Sequence, residues 1–242
     1  AKRSAGTITV TVASDANGDY AFPADRLEPG RYELTIRAAG YGLDGLGLVE
    51  LAPGKATRAD LRLVSTPVTT DRLTNSEWMV SVPGPEDLKR ALLNCADCHS
   101  LRRIFESKHT ATDFLKVFEQ RLVGEHRRPA VNPAIAEKLA DYLASVNLSR
   151  QSTHDFEPKI APRPTGRATR VIITEYDLPR KEIQPHDVIV DPAGMVWFSH
   201  FGEQFLSKLD PKTGKVTDFP IPVQKPNHPK GTLDLEIDAD GY

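Results

Sequence analysis

Within five consecutive residues, Cys95-Ala96-Asp97-Cys98-His99, the chain brings together two thiols and an imidazole. These are the only two cysteines in 242 residues, so they serve local chemistry and a disulfide framework spread over the chain is excluded. Two thiols separated by two residues on a helical turn can form thioethers with both vinyl groups of one porphyrin. The imidazole that follows is then placed below the iron as proximal ligand. The pattern is that of covalent attachment of one c-type haem, with Cys95, Cys98 and His99 as its cofactor-binding residues and His99 as the iron ligand.

Three other uses of these residues compete less well. A redox dithiol of the thioredoxin type sits among alternating strands and helices, whereas the flanks here have helical periodicity. A zinc site needs two further ligands at finger-like spacing, and neither His109 nor His126 has a partner three to five residues away. An inert disulfide leaves His99 without a role.

The motif does not mark the distal side of the iron. No Met lies between His99 and Asn147, which leaves His109, His126 or an open, water-bound position. His109 follows a short helix after the motif, and His126 lies in the loop Gly124-Glu125-His126-Arg127-Arg128-Pro129. Met79, upstream of the motif, is a less natural ligand. A lone His in a polar loop is most often a solvated residue. The missing Met nevertheless favours a second imidazole, His126 or His109, and imidazole is a stronger donor than a thioether, so the expected reduction potential is lower.

Helices must position this site. Pro85-Glu86-Asp87 opens one bearing Leu88, Ala91 and Leu92, which runs into the motif. Thr110 and Asp113 have capping-box spacing ahead of Phe114, Phe118 and Leu122. Asn132 and Pro133 open the last helix, whose apolar stripe is Ile135, Leu139, Tyr142, Leu143 and Val146. Three such helices with the attachment motif resemble a class I cytochrome c domain, assigned to residues 82–150. The resemblance implies electron transfer by one covalent haem c and redox partner proteins.

On the N-terminal side the hydrophobic period is two. Ile8, Val10 and Val12 alternate with Thr; Tyr20 and Phe22 follow the Asn17-Gly18 turn; Tyr32, Leu34 and Ile36 follow Pro29-Gly30; and Val49, Leu51, Leu61 and Leu63 flank Pro53-Gly54. The run from Ser14 to Phe22, with Leu27-Glu28-Pro29-Gly30-Arg31-Tyr32 and Ala39-Gly40-Tyr41, resembles the carboxypeptidase regulatory-like domain. That family implies a non-catalytic β-sandwich over residues 1–65, here expected to lack its first strands, with residues 66–81 as a linker.

Pro158, Pro162 and Pro164 mark a second linker, 151–169. Beyond it the chain repeats. Tyr176-Asp177-Leu178-Pro179 is echoed by Phe219-Pro220-Ile221-Pro222, and Asp187 to Gly194 by Asp234 to Gly241, a period of about 45 residues that suits a propeller blade. With Asp191-Pro192-Ala193-Gly194-Met195-Val196-Trp197-Phe198 and Leu209-Asp210-Pro211-Lys212-Thr213-Gly214, the order of elements resembles the virginiamycin B lyase-like β-propeller. Residues 170–242 then hold one blade and the start of another, and further blades or a partner chain are expected to complete the fold. His186, His200 and His228, with Glu175 and Glu236, read as strand or loop residues, and no catalytic residue carries over from that family. The fold class is multidomain: an N-terminal all-β sandwich, a central all-α cytochrome c domain and an incomplete C-terminal all-β propeller.

Composition limits the partners. With 31 Lys and Arg against 33 Asp and Glu, no electrostatic footprint points to nucleic acid or an anionic membrane. No stretch approaches the roughly 20 apolar residues of a membrane-spanning helix. Haem attachment implies a periplasmic or otherwise extracytoplasmic location, with any signal peptide removed. The leading expectation is an electron-transfer protein; the alternative is a haem oxidoreductase or lyase-like enzyme whose substrate site lies in the propeller.

Overall fold

The computed structural model describes residues 1–96, 100–120, 131–148, 157–223 and 230–238. It divides into two compact units: a β unit from Ala1–Ile36, Leu43–Arg62 and Pro164–Tyr242, and a helical unit from Arg37–Gly42 and Leu63–Arg163. The chain thus has an all-β N-terminal region, short helices in the middle and a C-terminal sheet.

The N-terminal strands are β1 (Lys2–Arg3), β2 (Ile8–Val12), β3 (Gly30–Glu33), β4 (Tyr41–Leu43), β5 (Leu48–Leu51) and β6 (Leu63–Ser65). In β2 the alternation works as the sequence suggests: Val10 is buried and Thr11 is exposed. The turn after β2 is held by Asp15, whose Oδ1 accepts the N–H groups of Asn17 and Asp19 at 2.8 and 3.0 Å, while Gly18 takes a φ of 92°. Tyr20, Phe22 and Leu61, expected in strands, lie outside them. Side-chain contacts hold Phe22 and Leu61 instead, packed with Leu27, Val49 and Leu51 on buried Tyr32 and Leu34.

The fifth strand of that sheet comes from far along the chain. β7 (Ile172–Tyr176) pairs antiparallel with β2, from Ile8↔Tyr176 to Val12↔Ile172, giving the order β5-β3-β1-β2-β7. The next strands are β8 (Pro185–Val190), β9 (Val196–His200), β10 (Phe205–Leu209) and β11 (Val216–Pro220), an antiparallel meander in the order β11-β10-β9-β8. Two aspartates build its turns. Asp191 Oδ1 accepts from Ala193 and Met195 N–H and its Oδ2 from Trp197 Nε1–H, all at 2.8–2.9 Å. Asp210 accepts from Lys212 N–H at 2.9 Å and the Thr213 hydroxyl at 2.8 Å, with Gly214 at φ 71° closing the hairpin. Ile183, Phe198 and Leu209 form the small core, against which Tyr176 and Leu178 pack.

The helical unit contains α1 (Asn75–Ser81), α2 (Glu86–Ala91), α3 (Leu93–Ala96), α4 (Leu101–Phe105), α5 (Ala111–Gln120) and α6 (Pro133–Ser145). Both expected caps are present. Thr110 and Asp113 bond each other's N–H groups, at 2.9 and 3.2 Å, and Asn132 Oδ1 accepts from Ala134 N–H at 3.0 Å with Pro133 as first helical residue. The stretch read as a linker, 66–81, carries α1. A reciprocal Thr74–Glu77 capping box starts it, and its Trp78 is fully buried. A seven-residue helix with one large aromatic has too short an apolar stripe for periodicity to reveal. Trp78 stacks on Phe105 of α4 with ring centroids 5.1 Å apart. Around this pair lies one apolar cluster containing Leu88, Leu92, Leu101, Phe114, Leu139 and Leu143.

Candidate functional site

Of the three motif residues, Cys95 lies among the described residues; Cys98 and His99 lie outside them, as does His126. α2 leads into the motif through Leu92, whose carbonyl accepts the N–H groups of Cys95 and Ala96 at 3.0 and 3.1 Å. Cys95 is half-buried and packs, with Met79, Leu115, Phe118 and Ile135, against the apolar cluster of the helical unit. The donor chemistry of Cys95, Cys98 and His99 and the apolar packing beside Cys95 fit a haem, whose macrocycle is itself apolar. Downstream of the motif, α4 begins with Leu101, which is fully buried, and its N–H donates to Asn75 Oδ1 of α1 at 2.9 Å.

His109 is exposed in the turn between α4 and α5. Its ring meets buried Phe114 edge-on, centroids 5.3 Å apart. The adjacent cap holds Asp113 below the usual carboxylate range, through the Thr110 N–H and hydroxyl. Met79 is half-buried on α1. Among the described residues no three His, Cys, Asp or Glu side chains gather as a metal site.

The end of the helical unit opposite in sequence is tied by Tyr142 of α6. Its hydroxyl donates to the Pro83 carbonyl at 3.0 Å, and burial pushes its pKa up to about 12, with the Glu86 charge adding to the effect. Glu77 fastens the Pro-rich stretch: one carboxylate oxygen accepts Thr74 N–H at 2.8 Å and the other Ala161 N–H at 3.0 Å. Burial works against that carboxylate, yet these bonds outweigh it and hold Glu77 below its ordinary range.

A second concentration of ionisable groups lies in the β unit, and sequence reading passed over it. His200, fully buried at the end of β9, shares a 2.6 Å hydrogen bond between Nε2 and Ser207 Oγ, and Ser207 donates in turn to Asp218. Arg180 donates to Asp218 at 2.7 Å and to both oxygens of Glu203 at 2.9–3.1 Å. His200 Nδ1 faces Glu203 at 3.7 Å. Burial lowers the His200 pKa, and Glu203 and Asp218 oppose the shift. Asp218 is raised by burial, but Arg180 and Ser207 outweigh that and lower it overall. Ser207 is itself fully buried and bonds both His200 and Asp218, so it is a link in the chain of bonds and not an exposed nucleophile. The cluster locks β9, β10, β11 and the stretch before β8 together. Register creates it, by placing Ser207 opposite Asp218, and no spacing along the chain signals it.

His200 also receives the returning chain. Its carbonyl accepts Thr232 N–H at 2.7 Å, and Asp187 accepts Leu235 N–H at 2.8 Å. His186 Nδ1 lies 3.3 Å from the Leu233 carbonyl. His228 lies outside the described residues.

Compared with known proteins, residues 1–64 match the family model of the carboxypeptidase regulatory-like domain. The N-terminal strands are therefore a domain of that kind; the cytochrome c and propeller resemblances have no family match. No curated protein and no solved structure matches the chain. Among the described residues no helix is long and apolar enough to cross a membrane.

Proposed function

We propose that the chain is a c-type cytochrome that carries one haem on Cys95, Cys98 and His99 and exchanges electrons with a partner redox protein outside the cytoplasm. The observation that carries this reading is the run Cys95-Ala96-Asp97-Cys98-His99, which starts on α3 with the Cys95 side chain set against the apolar cluster of the helical unit. When bound, the haem supplies one-electron exchange between ferric and ferrous iron. Cys95 and Cys98 would hold the group by adding each S–H across a vinyl C=C bond, so that a C–S and a C–H bond form and nothing leaves. His99 would supply an imidazole nitrogen to the iron, with His126 or His109 as the candidate second ligand. Leu92, Leu101, Trp78 and Phe105 belong to the buried apolar cluster against which Cys95 and Ala96 pack.

The flanking modules serve as docking surfaces in this proposal. The β8–β11 meander is the first blade of a virginiamycin B lyase-like propeller, and residues 230–238 open the second. The four-strand order, the two Asp-built turns and the return of Thr232 and Leu235 support it.

The test is haem staining after denaturing electrophoresis of the full chain produced in cells that mature exported cytochromes. The parent is expected to stain and to fractionate outside the cytoplasm, and Cys95→Ala with Cys98→Ala to abolish the stain. A parent whose motif peptide carries no added porphyrin mass sinks the proposal.

A further inference from the structure

We propose that the free edge of β7 is a self-association surface, to which a second copy of the chain adds its own β7, antiparallel, across a two-fold axis. β7 is an outer strand of the order β5-β3-β1-β2-β7, and among the described residues no strand pairs along its other side. The direction of its backbone groups follows from the ladder. Asp177 N–H donates to the Thr7 carbonyl at 2.8 Å, and antiparallel pairing alternates from there, so Glu175 and Ile173 also turn their N–H and C=O groups toward β2. β2 agrees with this phase. Val10 exchanges bonds with Ala1 at 2.7 and 2.8 Å on the β1 side, which leaves Thr9 and Thr11 to face β7. Ile172, Thr174 and Tyr176 therefore turn their N–H and C=O groups outward, as a template for another strand.

Two properties of the strand select a second copy as the occupant. The first is apolar surface. Val171, Ile172 and Ile173 are consecutive and 55%, 41% and 51% exposed, on an edge of the kind that proteins usually cover or charge. The second is charge complementarity. Arg167 and Arg170 precede the strand, and Glu175 and Asp177 close it. An antiparallel copy sets each basic start beside the other's acidic end, whereas a parallel one sets like charges together. With Ile173 on the two-fold axis, Ile172 pairs with the second copy's Thr174 and Tyr176 with its Arg170, so all three outward residues are used. Arg170 is then one position from the second copy's Glu175, and each Ile173 meets its equivalent.

Sedimentation velocity and light scattering of the full chain over a concentration series test this. The parent is expected to move from one copy to two as concentration rises. Thr174→Pro removes an outward N–H and no bond to β2, so it is expected to stay monomeric with the parent's far-ultraviolet spectrum. Ile173→Lys sets two ammonium groups together at the axis and is expected to weaken association about tenfold or more. It decides the matter if Thr174→Pro fails to fold. Arg170→Glu and Glu175→Arg are each expected to dimerise less well alone and to recover when mixed, because only the mixture brings opposite charges together; loss of folding cannot produce that recovery. A parent that stays monomeric at its highest soluble concentration, or a dimer that survives Ile173→Lys and a folded Thr174→Pro unchanged, overturns the proposal. Two charge variants that associate no better mixed than alone overturn the antiparallel pairing.

Discussion

Gly84 offers a sharp test of how the helical unit is packed. It stands between α1 and α2 with a φ of 135°, a region that side chains rarely adopt, and a Cβ placed there would lie 2.3 Å from Cε2 of Tyr142. That ring cannot swing aside freely, because its hydroxyl bonds the Pro83 carbonyl at 3.0 Å and it is 7% exposed. Gly84→Ala therefore meets two penalties. The backbone strain is about 1–3 kcal/mol, and the overpacking against a buried ring is about 1–3 kcal/mol more. The expected loss is about 2–6 kcal/mol, a large share of the 5–15 kcal/mol that typically holds a domain. Denaturant unfolding followed by far-ultraviolet ellipticity of the helices measures it. A cycle with Tyr142→Leu separates the two parts, because removing the ring relieves only the overpacking. The double variant should be more stable than the sum of singles by about 1–3 kcal/mol. Additivity within about 0.5 kcal/mol, or a Gly84→Ala loss under about 1 kcal/mol, refutes the packing argument.

Two further tests use pH and one uses ligation. Tyr142 is held neutral by burial up to about 12; above its unfolded value near 10 the unfolded chain releases a proton that the folded one keeps, so helical stability should fall from about pH 10 upward. Tyr142→Phe should flatten that part of the unfolding curve, and an unchanged curve argues against a buried hydroxyl. His200 is shifted the other way: burial lowers its folded pKa, so the unfolded chain binds more protons just below about pH 6.5 and the β8–β11 sheet should weaken as pH falls through that window. His200→Gln should remove the dependence, and its persistence would point to another group. For the distal ligand, paramagnetic resonance of His126→Ala and His109→Ala is expected to show loss of the low-spin ferric signal in one of them. Unchanged low-spin signals in both would eliminate both imidazoles and bring Met79 forward.

What was legible in the sequence was what short spacings encode. The Asn132-Pro133 and Thr110–Asp113 caps, the turn at Asn17-Gly18 and the alternation in β2 all lie where the residues put them, because each depends on partners within a few positions. α1 was missed because its burial depends on Phe105, 27 residues on from Trp78 (105 − 78), and its stripe is one aromatic wide. The His200 cluster was missed for the same reason in a sheet. His200, Ser207 and Asp218 have no meaningful spacing until strand register aligns them, and Arg180 reaches them from outside the strands. For the attachment run itself, the chemistry was read from residue types, and the structure adds the apolar setting of Cys95 and the hold of α1 on α4.

The position of β7 shows why a family match and a folding unit need not coincide. The matched region ends at residue 64, yet the sheet it builds is completed by Ile172–Tyr176, paired with β2 along all five residues of both strands. Without that partner, β2 would present an edge of unpaired N–H and C=O groups beside Val10 and Val12, the kind of edge that proteins cover. Tyr176, on the same strand, packs with Leu178 against the Ile183, Phe198 and Leu209 core. One strand is therefore shared: its backbone serves the N-terminal sheet while its last side chain serves the C-terminal core. The backbone ladder and the side-chain packing of β7 are thus satisfied by segments that lie on either side of Leu63–Arg163 in the sequence. Both compact units are built from discontinuous segments, and β7 is the strand by which the region after Pro164 joins the sheet begun at Lys2.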